Sequence, residues 1–214
     1  MEMYDHLKAA VAAGVNACFF SGDTCWGRID PRPSSRGAPN RIFSRIDAFG
    51  QRLPGGDWAG ADKFPYRTPS EADLIGARNA PPVTGGGPWV CSMPDHWIFA
   101  GTGMKIGDGI PGLVGWEWMG MPADIPGLEV VSTGKTQNGV KGPKGQGVYT
   151  ATIYPGPKKN IVFNAATCWW GDGLSAPPGY VRPKVYTEPK GVDPRAQRIT
   201  SNIFDRIKQG SHVS

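Results

Sequence analysis

Residues 3–23, MYDHLKAAVAAGVNACFFSGD, decide the fold class. Leu7, Ala10 and Val11 fall at helical spacing among good helix formers, and Gly14 supplies a C-terminal stop. Asn16-Ala-Cys-Phe-Phe20 is then a short apolar run closed by Ser21-Gly22-Asp23. Helix, glycine, buried strand is the unit of an α/β sheet, and both helix and strand need neighbours. A chain that opens on this unit reads as the rear part of a larger core. The expectation is that an upstream polypeptide or a second chain completes it.

Working outward, residues 27–90 are dominated by Gly, Pro, Arg and Asp and carry little periodicity. That predicts a long irregular excursion with two islands, 41–49 and 71–76. Strand-like segments return at 96–100, 128–132, 148–154 and 160–164. Residues 148–154 alternate, as in a half-exposed strand, whereas 160–164 are compactly apolar, as in a central one. Residues 194–208 place Ile199, Ile203, Phe204 and Ile207 on one stripe behind Asp193, a predicted helix with its N-cap. The expected architecture is α/β: an incomplete glutamine-amidotransferase-like parallel or mixed sheet with long Gly/Pro/Trp-rich loops and a closing C-terminal helix. Residues 1–214 read as one domain, comprising a helix–strand unit (1–26), the excursion (27–90), and a strand-rich part with the closing helix (91–214).

Composition narrows the function classes. Gly (31) and Pro (21) make up about a quarter of the 214 residues, but 8 Trp and only 19% charged residues argue for an ordered chain. The net charge of +5 is scattered without a basic stripe, which points to an ordinary solvated surface and no nucleic-acid partner. No stretch approaches the roughly 18 apolar residues of a membrane span, and the opening residues lack a signal-peptide pattern. Cys18, Cys25, Cys91 and Cys168 contain no C-x-x-C pair, consistent with free thiols in a reducing, cytoplasmic compartment.

Generic motifs are largely absent. Gly134-Lys-Thr136 ends like a phosphate loop, but Glu129 stands where its first glycine belongs. Gly101-Thr-Gly103 lacks the third glycine of a dinucleotide fingerprint. His6, His96 and His212 form no metal pair. What remains are polar and aromatic turns at strand ends. In residues 163–173, FNAATCWWGDG, Asn164 is placed to orient a substrate carbonyl and Asp172 to accept a proton or bind a metal, with His96 a further candidate catalytic group. Trp26, Trp97, Trp116, Trp169 and Trp170 supply an aromatic-walled pocket for a small uncharged ligand, or equally a packing layer under the loops. Cys25 and Cys168 leave open a thiol-dependent hydrolase, against a turn in which Cys25 merely packs inward. A non-catalytic module that binds a small molecule or a partner chain is the third reading.

Residues 9–26, 71–76, 95–118, 125–134, 149–156, 161–178 and 193–206 together resemble the large (beta) subunit of N,N-dimethylformamidase and its relatives. The phrases DHWIFAGTGMKIGDGIPGLVGWEW and IVFNAATCWWGDGLSAPP carry the likeness. The resemblance implies a glutamine-amidotransferase-like core with a tyrosine in place of the catalytic cysteine. It also implies a ferric iron, Fe(III), held by two tyrosines and a glutamate, which acts as a Lewis acid in hydrolysing a small amide to dimethylamine and formate. Glu71, in the context Glu-x-x-Leu-x-Gly, is the one metal ligand carried over. Both family tyrosines align ahead of Met1, and Tyr4 is not assigned their role. An iron-dependent amidohydrolase portion, inactive by itself, is therefore the leading expectation.

Overall fold

The structure is a computed structural model and describes residues 2–22, 24–25, 27–48, 71–79, 85–115, 117–138, 146–181 and 191–210. Helix α1 (Glu2–Ala12) is followed by strand β1 (Ala17–Phe19), as the opening stretch predicts. Gly14, at φ +105°, turns the chain between them. Strands β2 (Gly27–Arg32) and β3 (Ile42–Ala48) pair as an antiparallel hairpin. The short helix α2 (Ala72–Ile75) leads into β4 (Ala77–Asn79) and β5 (Gly85–Val90). Much of the described part of the excursion is thus regular structure, which Pro31 within a strand and the glycine-rich β5 had hidden.

Strands β6 (Gly109–Gly115), β7 (Met119–Pro122), β8 (Glu129–Asn138), β9 (Gln146–Pro155) and β10 (Ile161–Asn164) follow. Helices α3 (Trp170–Leu174) and α4 (Pro194–Lys208) close the fold. The main sheet has six strands in the order β1-β10-β9-β8-β5-β6. β1 and β10 run parallel, and the other ladders of this sheet are antiparallel. The molecule is therefore mixed α/β with a C-terminal helix.

Two segments differ from their sequence patterns for identifiable reasons. Residues 97–99 form a 3-10 turn instead of a strand, because His96 caps it, Nδ1 accepting from Ile98 N at 3.4 Å. In β9 both faces are covered, with Tyr149 through Tyr154 all buried. β10 is central, its four residues buried between β1 and β9.

One sheet face carries Phe163 and Ile153, paired across the ladder. Against Phe163 packs Trp170, edge-on at 6.1 Å between centroids, and α4 lies beyond it. Trp170 is fully buried and donates from Nε1 to Thr200 Oγ1 at 3.0 Å, so α3 and α4 lock together. α4 buries Ala196, Ile199, Thr200 and Ile203, while Phe204 stays largely exposed at the stripe's edge. Each buried isoleucine contributes about 1.5–3 kcal/mol. Asp193 caps α4 by accepting from Arg195 N at 2.8 Å. At the other end of the sheet Asn160 Nδ2 donates to Val11 O (3.1 Å) and Val15 O (2.7 Å), fastening α1 to the start of β10. No helix among the described residues is long and apolar enough to cross a membrane.

Candidate functional site at the ends of the parallel strands

Because β1 and β10 are parallel, their carboxyl ends lie side by side, where α/β sheets build their sites. Each end feeds a tight loop. After β1, Ser21 and Thr24 hydroxyls hydrogen-bond to each other, and Cys25 takes a left-handed φ of +55°. After β10, Ala166 sits at φ +61°, held by Asn164 Oδ1, which accepts from Ala166 N at 2.8 Å. Non-glycine residues in this region are strained by about 1–3 kcal/mol, and such strain collects at functional sites. The chain from Glu117 to Met119 closes over both loops. A Cβ on Gly22 would strike the Glu117 carbonyl and lie 3.2 Å from Cys168 Sγ, and Trp118 bridges to Thr167.

Side chains alternate along a strand, so Asn164 and Thr152, directly paired across β10 and β9, lie on the face opposite Phe163 and Ile153. Thr150 and Tyr154 share that face. It is covered by α2 and β4, with Gly76 so close that a Cβ there would lie 2.6 Å from Thr152 Oγ1. Tyr154 donates from its hydroxyl to Leu74 O at 2.6 Å, pinning α2 to the sheet.

Glu71 begins α2 and is buried, with Oε1 4.0 Å from Arg78 Nε. Glu71 lies near enough to Tyr4 and Cys25 to act on both. Burial first, then Asp73, Cys25, Tyr154 and Glu71 in turn, pushes the Tyr4 phenol well above its ordinary value. Burial and then Asp73 raise Tyr154 to about 12. The Cys25 thiol is raised by burial and by Glu71, the reverse of what an activated thiolate needs. Cys18, desolvated in β1, is raised to about 11.

The other predicted residues lie elsewhere. Asp172, in α3, is buried and accepts from Tyr180 OH at 2.5 Å through Oδ1. It follows Trp170, which packs against Phe163 on the face away from Asn164. His96 Nε2 is 3.3 Å from Glu129 Oε2, and Glu129 pairs with Ile153, again on the far face. Trp97 stacks beneath the Arg206 guanidinium at 5.3 Å. Trp169 packs on Gly115, where a Cβ would collide with its indole. Trp26 and Trp116 lie outside the described residues. Among the described residues no three His, Cys, Asp or Glu side chains are grouped to hold a metal. The structure thus brings Glu71 and Asn164 to one face and separates them from Asp172 and His96.

Thr152 and Tyr154 were legible in outline. The pattern Thr150-x-Thr152-x-Tyr154 marks one face of β9, but alternation alone assigns that face to solvent. Tyr4 reads as part of an amphipathic helix, and nothing local marks its approach to Glu71.

Residues 1–185 of the chain match a family model described as N,N-dimethylformamidase beta subunit-like, C-terminal. No curated protein matches the chain.

Proposed function

Because the chain belongs to the N,N-dimethylformamidase beta subunit-like C-terminal family, we propose that it forms part of a hydrolase for the C–N bond of small amides. The observation that carries this reading is the buried Glu71 carboxylate at the head of α2, the helix that Tyr154 pins to the sheet face carrying Asn164 and Thr152. The reading includes a glutamine-amidotransferase-like core, with which the α1–β1 unit and its parallel β10 are compatible.

The donor chemistry fits a hard cation. Burial and nearby acidic groups, Glu71 among them, raise the Tyr4 phenol, and carboxylate and phenol oxygens suit Fe(III). Glu71 would hold the ion, whereas Tyr154 donates its hydroxyl proton to Leu74 O. When bound, the ion polarises the amide carbonyl as a Lewis acid. Asn164 orients the carbonyl from the adjacent strand, and burial of the cluster excludes bulk water, which strengthens each polar contact. The remaining ligands come from a partner polypeptide. Two points support that: the family is described by a subunit, and β1 ends the sheet with β10 on one side only among the described strands. This reading assigns Asp172 and His96 no part at the Glu71 centre.

The test is iron content. The chain purified alone should bind Fe(III) weakly, and co-purification with its partner should give about one tightly held iron, lost in Glu71→Gln. Iron held equally by the Glu71→Gln assembly would remove Glu71 from the site. Tight iron in the isolated chain would remove the need for a partner.

A further inference from the structure

Asn164 and Thr152 each bury a polar atom without a hydrogen-bond partner: Asn164 Nδ2 and Thr152 Oγ1. Both residues are fully buried. The amide orientation of Asn164 is fixed, because its Oδ1 accepts from Ala166 N and the reverse orientation would set two donors face to face. Its Nδ2 is therefore a donor with no acceptor. Thr152 stands directly opposite on the next strand, on the same face, and its hydroxyl points at the Gly76 end of α2. Leaving two such groups unsatisfied costs about 1–3 kcal/mol each. An apolar pair at these positions would avoid that cost, so the arrangement calls for a guest.

We propose that Asn164 and Thr152 form a two-donor cradle for the carbonyl oxygen of a small amide. Paired strand residues bring their Cβ atoms to about 4.5–5.5 Å, the span over which one oxygen accepts from an N–H on one side and an O–H on the other. Two preorganised donors converging on a carbonyl oxygen in a dry site are the arrangement that stabilises charge developing there. Thr152 is the new element: a specificity-determining residue on β9 that no motif marks. The identity of the guest rests on the amide-hydrolase reading above, whereas the existence of the cradle does not.

The test is side-chain nuclear magnetic resonance on the full chain, titrated with N,N-dimethylformamide and, as a control lacking the carbonyl, dimethylammonium chloride. The Asn164 Nδ2 protons should move downfield and saturate with the amide and stay put with the amine. Thr152→Val should bind the amide about tenfold more weakly, the equivalent of one hydrogen bond, with an unchanged or higher Tm. Thr152→Ser, which keeps the hydroxyl, should bind as the parent does. Asn164 resonances that do not respond to the amide, or equal affinity in Thr152→Val, would overturn the cradle. Saturable amide binding without hydrolysis in the assembled, iron-loaded protein would count against the proposed function and leave the cradle standing.

Discussion

His96 Nε2 lies 3.3 Å from Glu129 Oε2, tying the turn that carries Trp97 to the start of β8. The imidazole is held neutral there. Burial lowers its pKa most, Glu129 partly offsets that, and Arg206 lowers it further. His96 Nδ1 also accepts from Ile98 N, which a doubly protonated ring cannot do. Ile98 O and Ala100 O in turn accept from Asn202 of α4 at 2.9 and 2.8 Å.

A folded pKa below the unfolded value means that the unfolded chain binds the proton more readily. The stability contributed by neutral His96 is therefore complete above about pH 6.5 and declines as pH falls below it, levelling off once the folded protein takes the proton. Thermal melts between pH 7.5 and 5 should show Tm falling through this window, and His96→Gln should flatten the fall. A His96→Gln chain with the parent's pH profile would refute the assignment.

Gly76 should not tolerate a side chain. It caps α2 at φ +88°, and a Cβ would press on Thr152 Oγ1 at 2.6 Å and on the Tyr154 ring at 3.3 Å. Gly76→Ala should lose about 1–3 kcal/mol in denaturant unfolding. It should also perturb the Tyr154 hydrogen bond to Leu74, visible as faster exchange of amides in α2.

Thiol chemistry should spare the site. Cys168 is exposed, whereas burial raises the pKa of Cys18, Cys25 and Cys91. Iodoacetamide at neutral pH, followed by mass spectrometry, should label Cys168 first and Cys25 slowly. Preferential labelling of Cys25 would revive a thiol-dependent mechanism.

What was legible in the sequence was local. The α1–β1 unit and α4 follow from 3.6-residue spacing and a stop or cap within a few positions, and Asp193 sits where its type predicts. β10 betrays itself by four consecutive apolar or end-capping residues. The turn at 97–99 was misread because Trp97-Ile-Phe99 is apolar, and one ring nitrogen of His96 decides it. The site was only half visible. Asn164 and Glu71 could be picked out by their surroundings in the chain. The pairing of Asn164 with Thr152 depends on register between β9 and β10, and the gathering of Tyr4 with Glu71 depends on where α2 docks; neither leaves a local pattern. Asp172 lies in α3 and His96 caps the 97–99 turn, beyond the strands whose alternation places Asn164.

The most direct measurement is formate release from N,N-dimethylformamide by the iron-loaded chain assembled with its partner, comparing the parent with Glu71→Gln. Hydrolysis in the parent assembly and a loss of roughly a hundredfold or more in Glu71→Gln are predicted, the scale of losing the ion that would stabilise the developing charge. Undiminished formate release by the Glu71→Gln assembly would contradict the account.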